Sequence, residues 1–145
     1  MEYSTEKEIH YAKSFLEEFF NTVFYNKTNV TTYFDQNACL YFEDNKRGIN
    51  SNGSGIIFIR QIYFMLHNNL EKLNIENYDI KFVDINTEEE KIHTLILIVN
   101  GTLKYRNDTD GTAKPFISIF HFKEDNGSFM IIQQLFKVGQ VNVKE

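Results

Sequence analysis

The 145-residue chain has no tryptophan, one cysteine and one proline, and each scarcity removes a class of answer. A lone Cys39 cannot form an internal disulfide or a thiolate metal cage, and it fits a reducing compartment. No apolar run approaches the roughly 18 residues that span a bilayer, so no membrane role is expected. The opening stretch, Met1 to Lys13, is polar and mixed in charge, with no apolar segment after a basic one. No cleaved secretory signal is expected from it. Positive charge is also short, with 15 Lys and Arg against 20 Asp and Glu, a net −5. A surface of that sign repels nucleic acid unless its bases cluster. The Lys46-Arg47 pair is the densest grouping, so no direct binding of DNA or RNA is expected. The four histidines, His10, His67, His93 and His121, are never spaced for chelation from one helix. No metal and no cofactor are expected.

Hydrophobic residues, by contrast, make up 42% and aromatics 15%, enough for an ordered chain with one sizeable core. The length is that of a single domain, 1–145, with a core over about residues 5–138. Six Asn-x-Ser/Thr triplets begin at Asn26, Asn29, Asn52, Asn100, Asn107 and Asn126. In a secreted chain they would accept glycans; among 16 asparagines chance accounts for them.

Thr5 and Glu8 match a capping box. Ile9, Ala12, Phe15, Leu16, Phe19, Phe20 and Val23 then recur at helical spacing, a wide apolar face with something large to cover. A short helical turn is expected over about Asn29 to Tyr33, after Thr28 as its cap, and a strand over Ala38 to Glu43. The run Asn50-Ser51-Asn52-Gly53-Ser54-Gly55 lacks the Gly-Lys-Ser/Thr ending of a phosphate loop and reads as a flexible loop. Ser54 can cap a helix from Ile56 to about Leu66, with Ile59, Ile62, Tyr63 and Leu66 inward. The period then switches to two, and Tyr78–Ile85, Ile92–Tyr105, Phe116–Lys123 and Phe129–Val138 read as strands. Helices first and a meander after, without βαβ alternation, predict an α+β fold with helices on one face of an antiparallel sheet.

An antiparallel sheet with one wet face alternates apolar and polar residues. Here Leu95, Ile96, Leu97, Ile98 and Val99 are all apolar, as are Phe129, Met130, Ile131 and Ile132. Phe116, Phe120 and Phe122 point one way, and Ile117 and Ile119 the other. The helices can cover one side, so the second needs a partner, because large exposed apolar patches are rare on monomers. Leu95, Leu97, Ile117, Ile119 and Ile131 are the expected dimer-sheet residues, in a homodimer or a heterodimer.

The ordered set Phe15-Leu16-Glu17-Glu18-Phe19-Phe20, Tyr33-Phe34-Asp35 and Cys39-Leu40-Tyr41-Phe42-Glu43 resembles the opening of the nuclear transport factor 2 family. Gly53 to Ile62, Val99-Asn100-Gly101-Thr102-Leu103-Lys104, Phe116 to Phe120 and Gln133-Gln134-Leu135-Phe136-Lys137 continue it to about Val138. The resemblance implies a cone-shaped curved sheet packed on a long first helix and two shorter ones, dimerising through the sheet. It also implies a transport factor of nucleus and cytoplasm, working at the nuclear pore and binding Phe-Gly nucleoporins and Ran-GDP. By motif position its partner contacts fall on Phe42, as an aromatic wall, and on the acids Glu43, Asp108 and Asp110. Carboxylates there suit a basic anchor. The alternative within the family is the small subunit of the mRNA export receptor. It is favoured by Leu103-Lys104-Tyr105 and by Phe82-Val83-Asp84, whose Asp84 would meet an arginine of the large subunit. The longer loops Asn45–Gly55 and Arg106–Lys114 depart from the family pattern.

The same cone houses isomerases and dehydratases, which need a wet pocket with an Asp or His base. Asp35 and His121 are the available bases, read as a turn residue and a packing histidine. The cone-facing positions are mostly Phe, Ile and Leu, so a non-enzyme is expected.

Overall fold

The computed structural model describes residues 5–25, 27–86, 88–89, 91–106, 112–125 and 128–139. The first apolar stripe folds as helix α1, Thr5–Tyr25, with Ala12, Phe15, Leu16, Phe19 and Phe20 buried. The Thr5 and Glu8 side chains lie outside the described part. A 3-10 turn over Lys27–Tyr33 follows, so one of the two expected short helices is this tighter form. Helix α2 runs Ile56–Asn69, three residues past the expected end, and buries Ile59, Ile62, Tyr63 and Leu66 as its pattern predicts.

The strands are β1 Phe34–Asp44, β2 Ile49–Ser54, β3 Leu70–Asn86, β4 Lys91–Tyr105, β5 Lys114–Asp125 and β6 Ser128–Val138. They form one sheet in the order β2-β1-β6-β5-β4-β3. Every pairing is antiparallel except β1 with β6, which is parallel. The Asn50–Gly55 run is therefore not a loop. It is an edge strand whose backbone pairs with β1, from Cys39 opposite Ser54 to Asp44 opposite Ile49. Ser54 does not cap α2 either. The cap is Gly55, at φ +98 and without a side-chain cap bond, a conformation that costs glycine little. Its N–H donates to Ala38 O at 2.9 Å, fastening the helix entry to β1. At the other end of α2, Arg106 satisfies two carbonyls, its N–H donating to Asn69 O at 2.8 Å and its Nε to Leu70 O at 3.0 Å.

Pairing register decides which face each residue occupies. Leu95 pairs with Phe122, Leu97 with Phe120, Val99 with Ser118 and Gly101 with Phe116. This set lies under α1: Phe15 stands edge-on to Phe120 and Phe122 at 5.1 and 5.0 Å, and Phe19 to Phe120 at 5.3 Å. Edge-to-face rings at such spacing add to the burial of their large apolar area. The sheet curves around this filling, and register shifts mark its bends, at Phe34/Cys39, Ile75/Asn77 and His121/Phe122. Gly101 sits at one of them. A Cβ there would overlap Asn74 O and stand 2.8 Å from the Phe116 ring, so β3 can fold this close only over a glycine.

The register corrects the expected dimer surface. Leu95, Leu97 and Ile131 are fully enclosed at 0% exposure, covered by α1 of their own chain and out of reach of any partner. Ile117 and Ile119 are on the opposite face, as expected.

Candidate docking face

Residues directly opposite in adjacent strands share a face, and on the outer side of the sheet they form rows. Ile98 pairs with Ile119, Ile119 with Leu135, and Leu135 with Tyr41. This apolar row crosses β4, β5, β6 and β1, with Ile96 and Ile117 diagonal to it. Each of these side chains is half-buried by its neighbours on the pleated surface, and among the described residues no helix lies above them. The row on one side reads Ile96, His121, Gln133, Cys39. The row on the other reads Asn100, Ile117, Lys137, Glu43. An apolar centre with polar flanks is the anatomy of a protein interface. It is narrower than strands with oil on both sides imply, because the inner residues are spent on the core. A groove of about 470 Å³ lies at the end of the row, lined by Cys39, Tyr41, Asn52, Ser54, Gln133 and Leu135.

His121 stands in this face between Ile96 and Gln133, not in the cone. Partial burial lowers its pKa from the ordinary histidine value. Glu43 is on the same face and accepts a hydrogen bond from the Tyr41 hydroxyl at 3.1 Å. That bond to a carboxylate is the first cause holding the Tyr41 phenol above its ordinary value.

Phe42 does not line a partner site. It is buried at 0% exposure, its ring 5.5 Å from that of Phe136, because strand alternation turns it inward when Glu43 faces out. Asp108 and Asp110 lie outside the described residues. So does the side chain of Asp84, whose backbone pairs with His93 between β3 and β4. Asp35 accepts the Asn37 N–H at 3.0 Å, the local bond of a turn residue. Among the described residues no three His, Cys, Asp or Glu gather as a metal site, and no helix is long and apolar enough to cross a membrane.

Two buried polar features escape a reading by motif. Inside the cone, the Tyr63 hydroxyl donates to Gln134 Oε1 at 2.6 Å and Gln134 Nε2 donates to Ser118 Oγ at 2.9 Å. All three residues are at most 1% exposed, and burial pushes the Tyr63 phenol far up. Asp44, 1% exposed, accepts the Arg47 N–H on Oδ1 at 3.2 Å while its Oδ2 has no hydrogen-bond partner. The signal for Asp44 was the alternation Leu40, Phe42, Asp44, which turns the carboxylate inward beside the outward Glu43.

Neither a protein-family model nor a curated protein matches the chain. Solved structures do. Yeast Ubp3-associated protein Bre5 superposes with a TM-score of 0.67 at 16% identity, over 88% of this chain and 92% of that one. A protein of unknown function with a cystatin-like fold from Nostoc punctiforme gives 0.66 at 13% identity, over 97% of each chain. An NTF2-like protein from Cytophaga hutchinsonii gives 0.60 at 12%, over 94% of this chain and 99% of that one. The chain has the NTF2-like, cystatin-like α+β fold.

Proposed function

We propose that this chain is a non-catalytic protein-binding module that pairs through the outer face of its sheet. The observation that carries the reading is the uncovered row Ile98–Ile119–Leu135–Tyr41 between two polar flanks. Two further facts support it. The inside of the cone is packed with Phe15, Phe19, Phe120, Phe122 and Tyr63, and its polar trio bonds to itself. Bre5, which shares the fold, is named for its association with another protein.

Its transport role follows the motif resemblance. The module works between nucleus and cytoplasm, pairs with itself, and presents Glu43 at the rim of the paired sheets to a basic anchor of Ran-GDP, with Phe-Gly nucleoporins as further partners. A carboxylate already tied to a tyrosine hydroxyl is held in one place for such a contact.

Sedimentation velocity and calorimetry test the two levels separately. The chain should sediment as a dimer at micromolar concentration. Ile98→Asp should make it a folded monomer, because two carboxylates would be buried unpaired in the joint. A wild-type monomer would sink the module reading. Purified Ran-GDP should bind the dimer, and Glu43→Lys should abolish that binding without splitting the dimer. Failure to bind Ran-GDP with the dimer intact would end the carrier role. Stabilisation only by a large export receptor subunit would replace it with the export role.

A further inference from the structure

Strand pairing brings together two lysines that are far apart in the sequence. Lys72 of β3 is the direct partner of Lys104 in β4, and on the next rung of the same face Asn74 is the partner of Thr102. Leu73 and Leu103 lie between them and turn the other way, into the core. The four polar side chains therefore stand on the outer face, further along β3 and β4 than the apolar row. Like charges directly opposite across a ladder are destabilising, and no neighbouring acid relieves this pair. Among the described residues, none of the four side chains has an ion pair or a hydrogen bond. With Glu71 and Ala113 they line an open groove of about 320 Å³. Glu71 is set off the ladder by the register shift between Leu70 and Lys72 and pairs with neither lysine. The backbone beneath is held in place, because the Asn74 carbonyl packs against Gly101. On the far side Asn100 Nδ2 donates to Asn77 Oδ1 at 3.1 Å, a neutral rung bonded to itself that ends the cluster.

We propose that this square of donors binds a phosphate monoester, carried on a phosphorylated side chain of a partner protein. Such a group brings a charge of about −1.5 to −2 and three acceptor oxygens, which balances two ammoniums at one point. A carboxylate would leave one lysine's charge unanswered. Side chains directly opposite start about 5 Å apart, and the flexible four-carbon stems of two lysines can converge on one anion. The Asn74 amide and the Thr102 hydroxyl, one rung or about 7 Å along, donate to the remaining oxygen or to the main chain beside it. A nucleic-acid strand carries single charges in series and is held by a track of cations with stacking rings. Here the cations stop at a neutral rung, and no ring lines the groove. The groove is open, so a free ion would stay in water, while a peptide gains further contacts along it. The site uses neither the outer apolar row nor Glu43, so it stands whether or not two copies pair.

Titration calorimetry on the full chain at low salt tests this with a short phosphoserine peptide flanked by glycine and alanine. The phosphopeptide should bind, and its unphosphorylated form should give no heat. A glutamate counterpart should bind about fivefold more weakly or worse. Lys72→Gln and Lys104→Gln should each weaken binding roughly tenfold, and Glu71→Gln should tighten it about twofold to threefold by removing the one repelling charge. Lys104→Glu should lose binding and yet melt about 1–3 °C higher, since an opposed like pair becomes an opposite one. A folded, more stable protein that no longer binds separates the site from the fold. The proposal is overturned if the wild type ignores the phosphopeptide or if Lys104→Glu binds it unchanged. It is equally overturned if inorganic phosphate binds as tightly as the peptide, or if a single-stranded RNA oligonucleotide binds more tightly.

Discussion

Replacing Tyr63 with phenylalanine removes one oxygen from the middle of the cone and tests whether that space is closed. The Tyr63 hydroxyl is the donor to Gln134 Oε1 at 2.6 Å, and Gln134 is held from its other end by Ser118. With all three residues at most 1% exposed, the substitution leaves Gln134 Oε1 buried and unbonded, at about 1–3 kcal/mol. For a chain of 145 residues the unfolding entropy is roughly 0.3 kcal/mol/K. The expected fall in Tm is therefore about 3–10 °C. Scanning calorimetry at neutral pH reads it. The triple variant Tyr63→Phe, Gln134→Leu, Ser118→Ala replaces every member of the network by an apolar group and should recover most of the loss, because no orphan remains. A Tyr63→Phe variant as stable as the wild type would mean that water reaches Gln134. The cone would then be a wet cavity of the kind an enzyme needs, and the non-catalytic reading would lose its main support.

Two other perturbations follow from the same packing. Gly101→Ala should destabilise by about 1–3 kcal/mol, since the added methyl overlaps Asn74 O in a close-packed site; urea denaturation measures it. His121 has its pKa lowered by desolvation, so its neutral form is the one the folded state prefers. The sign follows: this contribution is present above the unfolded pKa of about 6.5 and is lost as pH falls through the lower folded value. The proposed outer-face dimer would bury His121 further, so self-association should weaken as pH falls below the unfolded value. His121→Gln should remove that part of the pH dependence in sedimentation runs.

Helices α1 and α2 were legible because their apolar spacing answers directly to a face with a core beneath it. Strand β2 was not, since Ile49–Ser54 has the composition of a turn and is extended by its backbone bonds to β1 alone. The run Leu95–Val99 announces two apolar faces but not which one the helix covers. That choice is made by register, where Phe116, Phe120 and Phe122 opposite Gly101, Leu97 and Leu95 define the inner side. Motif position alone put Phe42 at a partner site, whereas alternation within the same strand sends it inward with Leu40 and Asp44. The Tyr63–Gln134–Ser118 trio joins positions 71 and 16 residues apart, and no local pattern announces a contact of that range.

The parallel seam between β1 and β6 also bears on how the chain is made. The central neighbour of β1 is β6, the last of the described strands, so a ribosome that has delivered everything through β5 has released two halves without their joint. α1, with Phe15 and Phe19, must wait over a three-stranded remnant while β1 and β2 hang apart from it. Contacts of such long sequence separation are slow to form and leave apolar surface open meanwhile. Nascent chains stalled before Ser128 should therefore be captured by holdase chaperones and degraded by protease, and chains extruded past Val138 should escape both.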